Sequence, residues 1–563
     1  MEDTFAKNLL KQTGLLNEFQ VEDVLRASRS AEGKGILAAA LELGMAREDA
    51  LLKKLGEMLG YPFQDMATVQ PTKEALLRFP ARAANQYCAL PLGFDKAGAL
   101  TVVVCDPLST SLVDGVRMAA GCPVNLSLNT REEIDKAIKK FYGVGSEFID
   151  PDDDRYNVDG DDLANITKID VGAEGAEASI AKFVNQIIAE ADRRGATDIH
   201  IEPMEDELRI RYRIDGMLHK VDVPPQLNKL KASIISRIKV MANLDIAEKR
   251  LPMDGRIGIR IAGEDIDIRV STMPTAYGES ISLRLLAKAG NFVKIQDLGF
   301  NDFDFENVVK LIHRPNGIFL VTGPTGSGKS TSLYAFLHEV NTMQVRILTA
   351  EDPIEYQMAG INQVLVRSDI GLTFARALRA FLRQDPDIIM VGEIRDGETA
   401  DIAINASLTG HMVFSTLHTN DSAGAFARLL DMGCEPFLVA SAVAGVMAQR
   451  LVRRLCPVCK KEVPLDEKMY DLPYPPAAHT VWQPQGCEKC NNTGYKGRRG
   501  LFELLCVTED VASAVIARKS SQDIRDIAMR HGMKLLREDG WAKAFKGLTS
   551  VEEVMRVTEE ENG

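Results

Sequence analysis

No stretch of this chain approaches the roughly 18 consecutive apolar residues of a membrane-spanning helix, so none is expected. Met1 is followed by EDTFAKNLLKQTG, with neither a positive n-region nor an apolar h-region, so no secretory signal and an intracellular location are expected. A cationic excess is lacking: 67 Lys and Arg stand against 80 Asp and Glu, for a net charge of −13. The molecule as a whole therefore has no basic footprint for nucleic acid, and no basic, aromatic-interleaved channel is evident. Most of the nine cysteines lack neighbours of their own kind. Cys88, Cys105 and Cys122 are too widely spaced for a local metal site, and Cys434 and Cys506 stand alone. These five read most simply as reduced, buried small hydrophobes.

The chain has 563 residues, 45% hydrophobic and 26% charged, the composition of a globular protein of three to four domains. Its organising stretch is Gly317–Thr331, GIFLVTGPTGSGKST, an apolar run feeding a glycine-rich loop and then a helix-forming sequence. The loop matches G-x-x-x-x-G-K-[ST] at Gly323, Gly328, Lys329 and Ser330. Gly323, Gly326 and Gly328 can take positive φ, so backbone N–H groups converge on phosphate oxygens with no Cβ in the way. The following helix points its positive N-terminus at the same anion. Lys329 reaches the β- and γ-phosphates of ATP, and Ser330 offers its hydroxyl to Mg²⁺. Pro324, Thr325, Ser327 and Thr331 complete the nucleotide-binding stretch.

Along the chain, residues 1–68 read as a helical module, with Leu51, Leu52, Leu55, Met58 and Leu59 on one helical face. Residues 69–143 alternate short strands and helices as a compact α/β module. Residues 144–178 read as an acidic linker, with seven aspartates between Asp150 and Asp162. A calcium loop there fails, because Arg155 falls where glycine is needed and position twelve holds no Glu. From 179 to 290 an α+β domain is expected. Its strand places Leu208, Ile210, Tyr212 and Ile214 against Arg209, Arg211 and Arg213, and Asp215-Gly216 makes a hairpin turn. The P-loop core is expected over 291–455, a cysteine insert over 456–495 and a helical C-terminal region over 496–563.

After the loop, RILTAEDPIEY ends an apolar strand in Glu351, Asp352 and Glu355. In DPDIIMVGEIRD the strand delivers Glu393 to its carboxyl end, where an acid can hold the Mg²⁺ hydration shell or orient the attacking water. TGHMVFSTLHTND presents His411 and His418 around another buried strand. Singly, each of these residues reads as an ordinary turn or core residue. In order, on successive strands after a P-loop, they fit an ATPase sheet.

The ordered set GPTGSGKST, AEDPIEY, DPDIIMVGEIRD and TGHMVFSTLHTND resembles the secretion ATPases of type II secretion and type IV pilus assembly, over roughly residues 70–560. The resemblance implies an α/β fold with a RecA-like core preceded by a PAS-like α+β domain, hexameric rings, and ATP bound between those two domains. It matches Glu355 to the glutamate that polarises water, Glu393 to the Walker B glutamate, and His411 and His418 to the histidine-box pair. It also matches Arg269 and Arg284 to basic residues that approach the phosphates from the smaller domain, and Arg379 and Arg383 to a second pair at the nucleotide interface. From spacing alone, each arginine reads as a surface salt bridge.

The pairs Cys456/Cys459 and Cys487/Cys490 are separated by 27 residues. Four thiolates in paired C-x-x-C form suit tetrahedral Zn²⁺ better than two redox dithiols, which need a thioredoxin-like context. Assembly and export members of the family carry such an insert, whereas retraction motors lack it. Family N-terminal modules often bind cyclic di-GMP through Arg-Leu-Gly-x-x-Leu segments. Here Phe5 and Lys7 replace the arginine and glycine, and Leu37 replaces the glycine of a second segment. The expectation is docking to a cytoplasmic anchor and a membrane platform protein, without dinucleotide binding. The whole reads as a hexameric Mg-ATPase, cytoplasmic and recruited indirectly to the inner membrane, powering pseudopilus assembly in secretion or, second, pilus assembly. A RecA-like nucleic-acid motor is the rival from another class, and a non-hydrolysing ring is a third reading.

Overall fold

A computed structural model describes residues 2–30, 36–143, 174–261, 264–286, 293–465 and 479–558. The chain divides into two compact units, Met1–Leu285 and Leu286–Gly563. The linker expected at 144–178 lies outside the described residues up to 173, and Glu174 already begins the helix Glu174–Arg193.

In the first unit, helices Glu2–Gln12, Glu18–Ser30, Ile36–Glu42 and Glu48–Leu59 close around Leu10, Val21, Val24, Leu51, Leu52 and Leu55. Strands β1 (Ala89–Phe94), β2 (Leu100–Val104) and β3 (Val124–Leu128) form a small sheet in that order. Helices Thr110–Ala120 and Arg131–Tyr142 follow β2 and β3, where the alternating pattern expects them.

The rest of this unit is a six-stranded antiparallel sheet of β4 (Ala196–Pro203), β5 (Leu208–Ile214), β6 (Met217–Val221), β7 (Met253–Ile261), β8 (Glu264–Thr275) and β9 (Gly278–Leu285). Their order is β6-β5-β4-β9-β8-β7. Alternate residues Ile199, Ile210, Tyr212, Ile268 and Leu283 are buried with Phe183, Ile187, Ile234 and Ile238 of two helices, while the arginines of β5 take the other face. Asp215 and Gly216 both have positive φ, 49° and 88°, as a two-residue hairpin turn requires.

The second unit is built on seven strands: β10 (Gly317–Thr322), β11 (Ile347–Glu351), β12 (Asn362–Leu365), β13 (Ile388–Val391), β14 (Met412–Leu417), β15 (Val443–Leu455) and β18 (Tyr495–Cys506). A separate hairpin pairs β16 (Lys461–Pro464) with β17 (Thr480–Gln483). The sheet order is β12-β11-β13-β14-β10-β15-β18, parallel except for β18. Every residue of β10 is buried, as continuous apolar runs are in sheets covered on both faces. Ile318 and Leu320 pack into one core, and Phe319 and Val321 into the other.

The expected helical region from 496 opens instead with β18, which pairs antiparallel with β15 over most of its length. Leu501–Leu505 is fully buried there, so YKGRRGLFELLC forms an edge strand of the core sheet. Four helices then follow, from Glu509–Ile516 to Val551–Thr558.

Candidate active site

The sheet order sets the site. β10 runs parallel between β14 and β15, and β13 lies beyond β14, so their carboxyl ends open onto one edge. The glycine-rich loop leaves β10 on that edge. Gly323 has φ +143°, and a Cβ there would stand 2.5 Å from the Gln449 carbonyl oxygen and 2.7 Å from Ser327 Oγ. Gly328, at φ +90°, forms the N-cap of helix Lys329–Val340, where only glycine adopts the backbone cheaply. Gly326 also has positive φ, while Pro324, Thr325 and Ser330 are exposed and Thr331 is half-buried.

Lys329 Nζ donates to the carbonyls of Gly323 at 2.7 Å and Pro324 at 3.0 Å. Burial pulls its pKa down to about 8, with Glu393 working against that shift and Arg450 adding to it. Ser327 Oγ is buried and has no hydrogen-bond partner among the described residues. A lysine held only by loop carbonyls, an orphaned hydroxyl and a positive-φ cradle are what a polyphosphate would satisfy.

Two residues beyond β13, Glu393 is mostly buried and pairs with Arg395. One residue beyond β14, His418 Nε2 lies 3.2 Å from Glu393 Oε2. Adjacent parallel strands thus bring together an acid and an imidazole 25 residues apart in sequence. His411 is different. It stands at the amino end of β14, where its Nδ1 donates to the Ala406 carbonyl at 2.8 Å and its own carbonyl accepts from Gly317 N–H at 3.2 Å. A six-residue strand separates it from His418, roughly 20 Å at the rise of a strand, so one chain does not bring both histidines to the loop.

At the carboxyl end of β11, Glu351 is buried and serves as an anchor. It accepts from Thr349 Oγ1 at 2.5 Å and Gln363 Nε2 at 2.9 Å, and from the Tyr334 hydroxyl. Tyr334 Oη in turn accepts the backbone N–H of Glu355 at 3.1 Å. The helix that follows the P-loop therefore fixes the segment carrying Glu355. Sequence reasoning missed Tyr334 and Gln449, whose Oε1 accepts from Ser332 Oγ at 2.8 Å, because no motif marks either.

Arg379 lies on helix Phe374–Phe381 and pairs with Glu398, and Arg383, just past that helix, donates to the Arg379 carbonyl at 2.7 Å. Both are exposed. Arg269 and Arg284 belong to the first unit, directly opposite each other on β8 and β9, with Arg284 Nε 2.9 Å from Asp198 Oδ1.

The four paired cysteines converge. Cys456–Cys487, Cys459–Cys490 and Cys487–Cys490 sulfurs are each 3.8 Å apart, and all four lie within 4.8 Å of one another. A tetrahedron with Zn–S of about 2.3 Å has edges of about 3.8 Å, so the donor set fits zinc. Backbone N–H groups of Cys487 and Gly494 each donate to Cys490 Sγ at 3.2 Å, which favours the thiolate that a metal needs.

The family described as "Type II/IV secretion system protein" matches residues 173–556. The chain belongs to that family. A second description, "MshEN domain", matches residues 59–147. This secretion ATPase is 41% identical, over its whole length and 98% of the relative's, to the "Type II secretion system protein E" of Xanthomonas campestris. It is 40% identical, over 96% of its length and 97% of the relative's, to the "Type IV pilus assembly ATPase PilB" of Myxococcus xanthus. Its fold is like that of the Legionella pneumophila ATPase DotB, with a TM-score of 0.50 at 22% identity, covering 68% of this chain and 96% of that one. The family and fold together make it an ATP-hydrolysing enzyme of secretion or pilus assembly, and nothing in them supports the nucleic-acid motor. Phe5, Lys7 and Leu37, on which the expectation of no dinucleotide binding rests, lie outside the region matched by the MshEN description.

Proposed function

We propose that the chain is a hexameric Mg-ATPase that drives assembly of pilin-like subunits, in type II secretion first and in type IV pilus assembly as the alternative. The observation that carries this is the grouping of the P-loop, Lys329, Glu393 and His418 on one edge of a parallel sheet. Backbone N–H groups of Gly323–Thr331 and Lys329 hold the phosphates, and the Ser330 hydroxyl with the Glu393 side would hold Mg²⁺. The ion would supply charge neutralisation at the phosphates. Glu393, oriented by His418 and Arg395, positions the attacking water, and Glu355, held through Tyr334, assists in polarising it. Arg269, Arg284, Arg379 and Arg383 supply cations to the transferred phosphoryl group. His411 keeps the interface role that the resemblance implies, which a neighbouring copy in the ring would use.

Cys456, Cys459, Cys487 and Cys490 would hold Zn²⁺, whose part is to tie the β16–β17 insert to the end of β15. Among the described residues no helix is long and apolar enough to cross a membrane. Recruitment to the inner membrane is therefore assigned to an anchor protein docking on the N-terminal helical module.

Complementation tests the reading. In a deletion strain of the native host, wild type restores either secreted proteins or surface pilin, and Lys329→Ala restores neither. Restoration of secretion alone identifies the secretion motor, and restoration of pili alone the pilus motor. No phenotype for the deletion overturns the assembly role.

A further inference from the structure

His418 stands one residue past the end of β14, whose ladder with β10 closes at Leu417 opposite Thr322. Glu393 is fixed to β14 through its neighbour, because Ile394 N–H donates to the Thr416 carbonyl at 3.0 Å. The exposed imidazole lies beyond the ladder. Its distance to Glu393 therefore depends on the irregular segment 419–422, which precedes helix Gly424–Asp431.

Backbone groups of such a segment must find partners outside a ladder, and β15 and β18 supply two of them. Arg450 of β15, only 5% exposed, donates from Nη2 to the Asn420 carbonyl at 3.0 Å and from Nη1 to the Gln449 carbonyl at 3.2 Å. Leu501 faces Arg450 and Glu503 faces Ala448, so Arg450 and Glu503 sit diagonally on one face of the β15–β18 pair. Both reach the same segment, since Glu503 accepts from Ser422 N–H at 2.9 Å, two residues beyond Asn420. The Arg450 guanidinium also stands against the nucleotide loop. A Cβ on Gly323 would lie 3.2 Å from its Nη1, and the carbonyl of that glycine accepts from Lys329 Nζ.

One planar, rigid fork thus spans from the first P-loop glycine to the second residue after His418. We infer that Arg450 is a positioning residue for ATP hydrolysis, which keeps His418 within reach of Glu393 by holding Asn420 beside the P-loop. The inference rests on the roles proposed above for His418 and Glu393, and extends them to a residue that no motif marks.

The test is a double-mutant cycle in the full chain, with phosphate release followed against Mg-ATP concentration for Arg450→Gln, Arg450→Lys, His418→Ala and each Arg450 variant combined with His418→Ala. Arg450→Gln is expected to lower kcat about tenfold, the scale of a displacement well under 1 Å, with KM for ATP changed by less than about twofold. Arg450→Lys, which keeps the charge and can still reach one carbonyl, should recover part of the loss. Neither Arg450 change should slow the His418→Ala protein further. A merely structural arginine would give losses that multiply with that of His418→Ala, or a KM that rises as kcat falls, and either result overturns the inference. If Arg450→Gln does not fold, Arg450→Lys alone and with His418→Ala decides on the same criteria. If His418→Ala is slow and the Arg450 variants turn over like wild type, the positioning role fails and the earlier assignment stands. If His418→Ala itself turns over like wild type, both fail.

Discussion

At the scale of single residues, Lys329 carries the clearest pH signature. Its folded pKa is lowered to about 8 from an ordinary 10.5. Between those values the unfolded chain holds the proton and the folded chain does not, so this group makes stability rise with pH across that window and penalises the fold below it. Nucleotide phosphates favour the charged lysine. ATP affinity of the wild type should therefore fall by up to about tenfold per pH unit above pH 8, and Lys329→Arg should flatten the profile. A fluorescent-nucleotide titration from pH 7 to 9.5 checks this, and a flat wild-type profile sinks it. Glu393→Gln should retain ATP binding and lose turnover by about 10²–10⁴-fold, the usual scale for a positioned acid–base group. Phosphate release measured beside nucleotide binding separates the two effects.

At the scale of elements, helix Lys329–Val340 does more than present the P-loop, because Tyr334 joins it to the ends of β11. Tyr334→Phe removes the donor to Glu351 and leaves the Glu355 N–H without its acceptor. That should cost about 1–3 kcal/mol by urea unfolding, and should lower turnover with little change in ATP affinity. Equal losses in turnover and affinity would mean that the loop itself had collapsed. The cysteine insert makes its own prediction: one zinc per chain by metal analysis, lost on replacing Cys456 with Ser. Lys460 lies 4.5 Å over the Trp482 ring, so metal removal should also shift tryptophan fluorescence. A metal-free wild type with unchanged fluorescence would leave the four sulfurs as a packing cluster.

At the scale of the whole molecule, hydrolysis must be coupled to assembly. Glu393→Gln with Mg-ATP should sediment as a hexamer, since it binds without turning over, and Lys329→Ala should not. A monomeric Glu393→Gln protein under saturating ATP would remove the ring from the mechanism. Within the second unit, Arg525 pairs with Asp421 in the segment after His418, and Glu503 of β18 accepts from Ser422 N–H at 2.9 Å. The C-terminal helices and the sheet edge are thus connected to the histidine-bearing loop.

What the sequence determined by itself is local chemistry. Gly323–Thr331, the acid at 393 after a buried run and the paired cysteines are each legible because each pattern is complete within a short stretch of chain. The buried alternation of β5 and the Asp215-Gly216 turn were legible for the same reason, since side-chain direction has period two. Only the tertiary structure decided what depends on pairing between distant residues. Strand order put His418 beside Glu393 and left His411 at the opposite end of β14. Antiparallel register drew β18 out of an expected helical tail and set Arg269 opposite Arg284. Tyr334 found Glu351 across a packed core. No window of sequence contains both members of such a pair, because backbone hydrogen bonding and burial between separate segments, not local preference, set their distance.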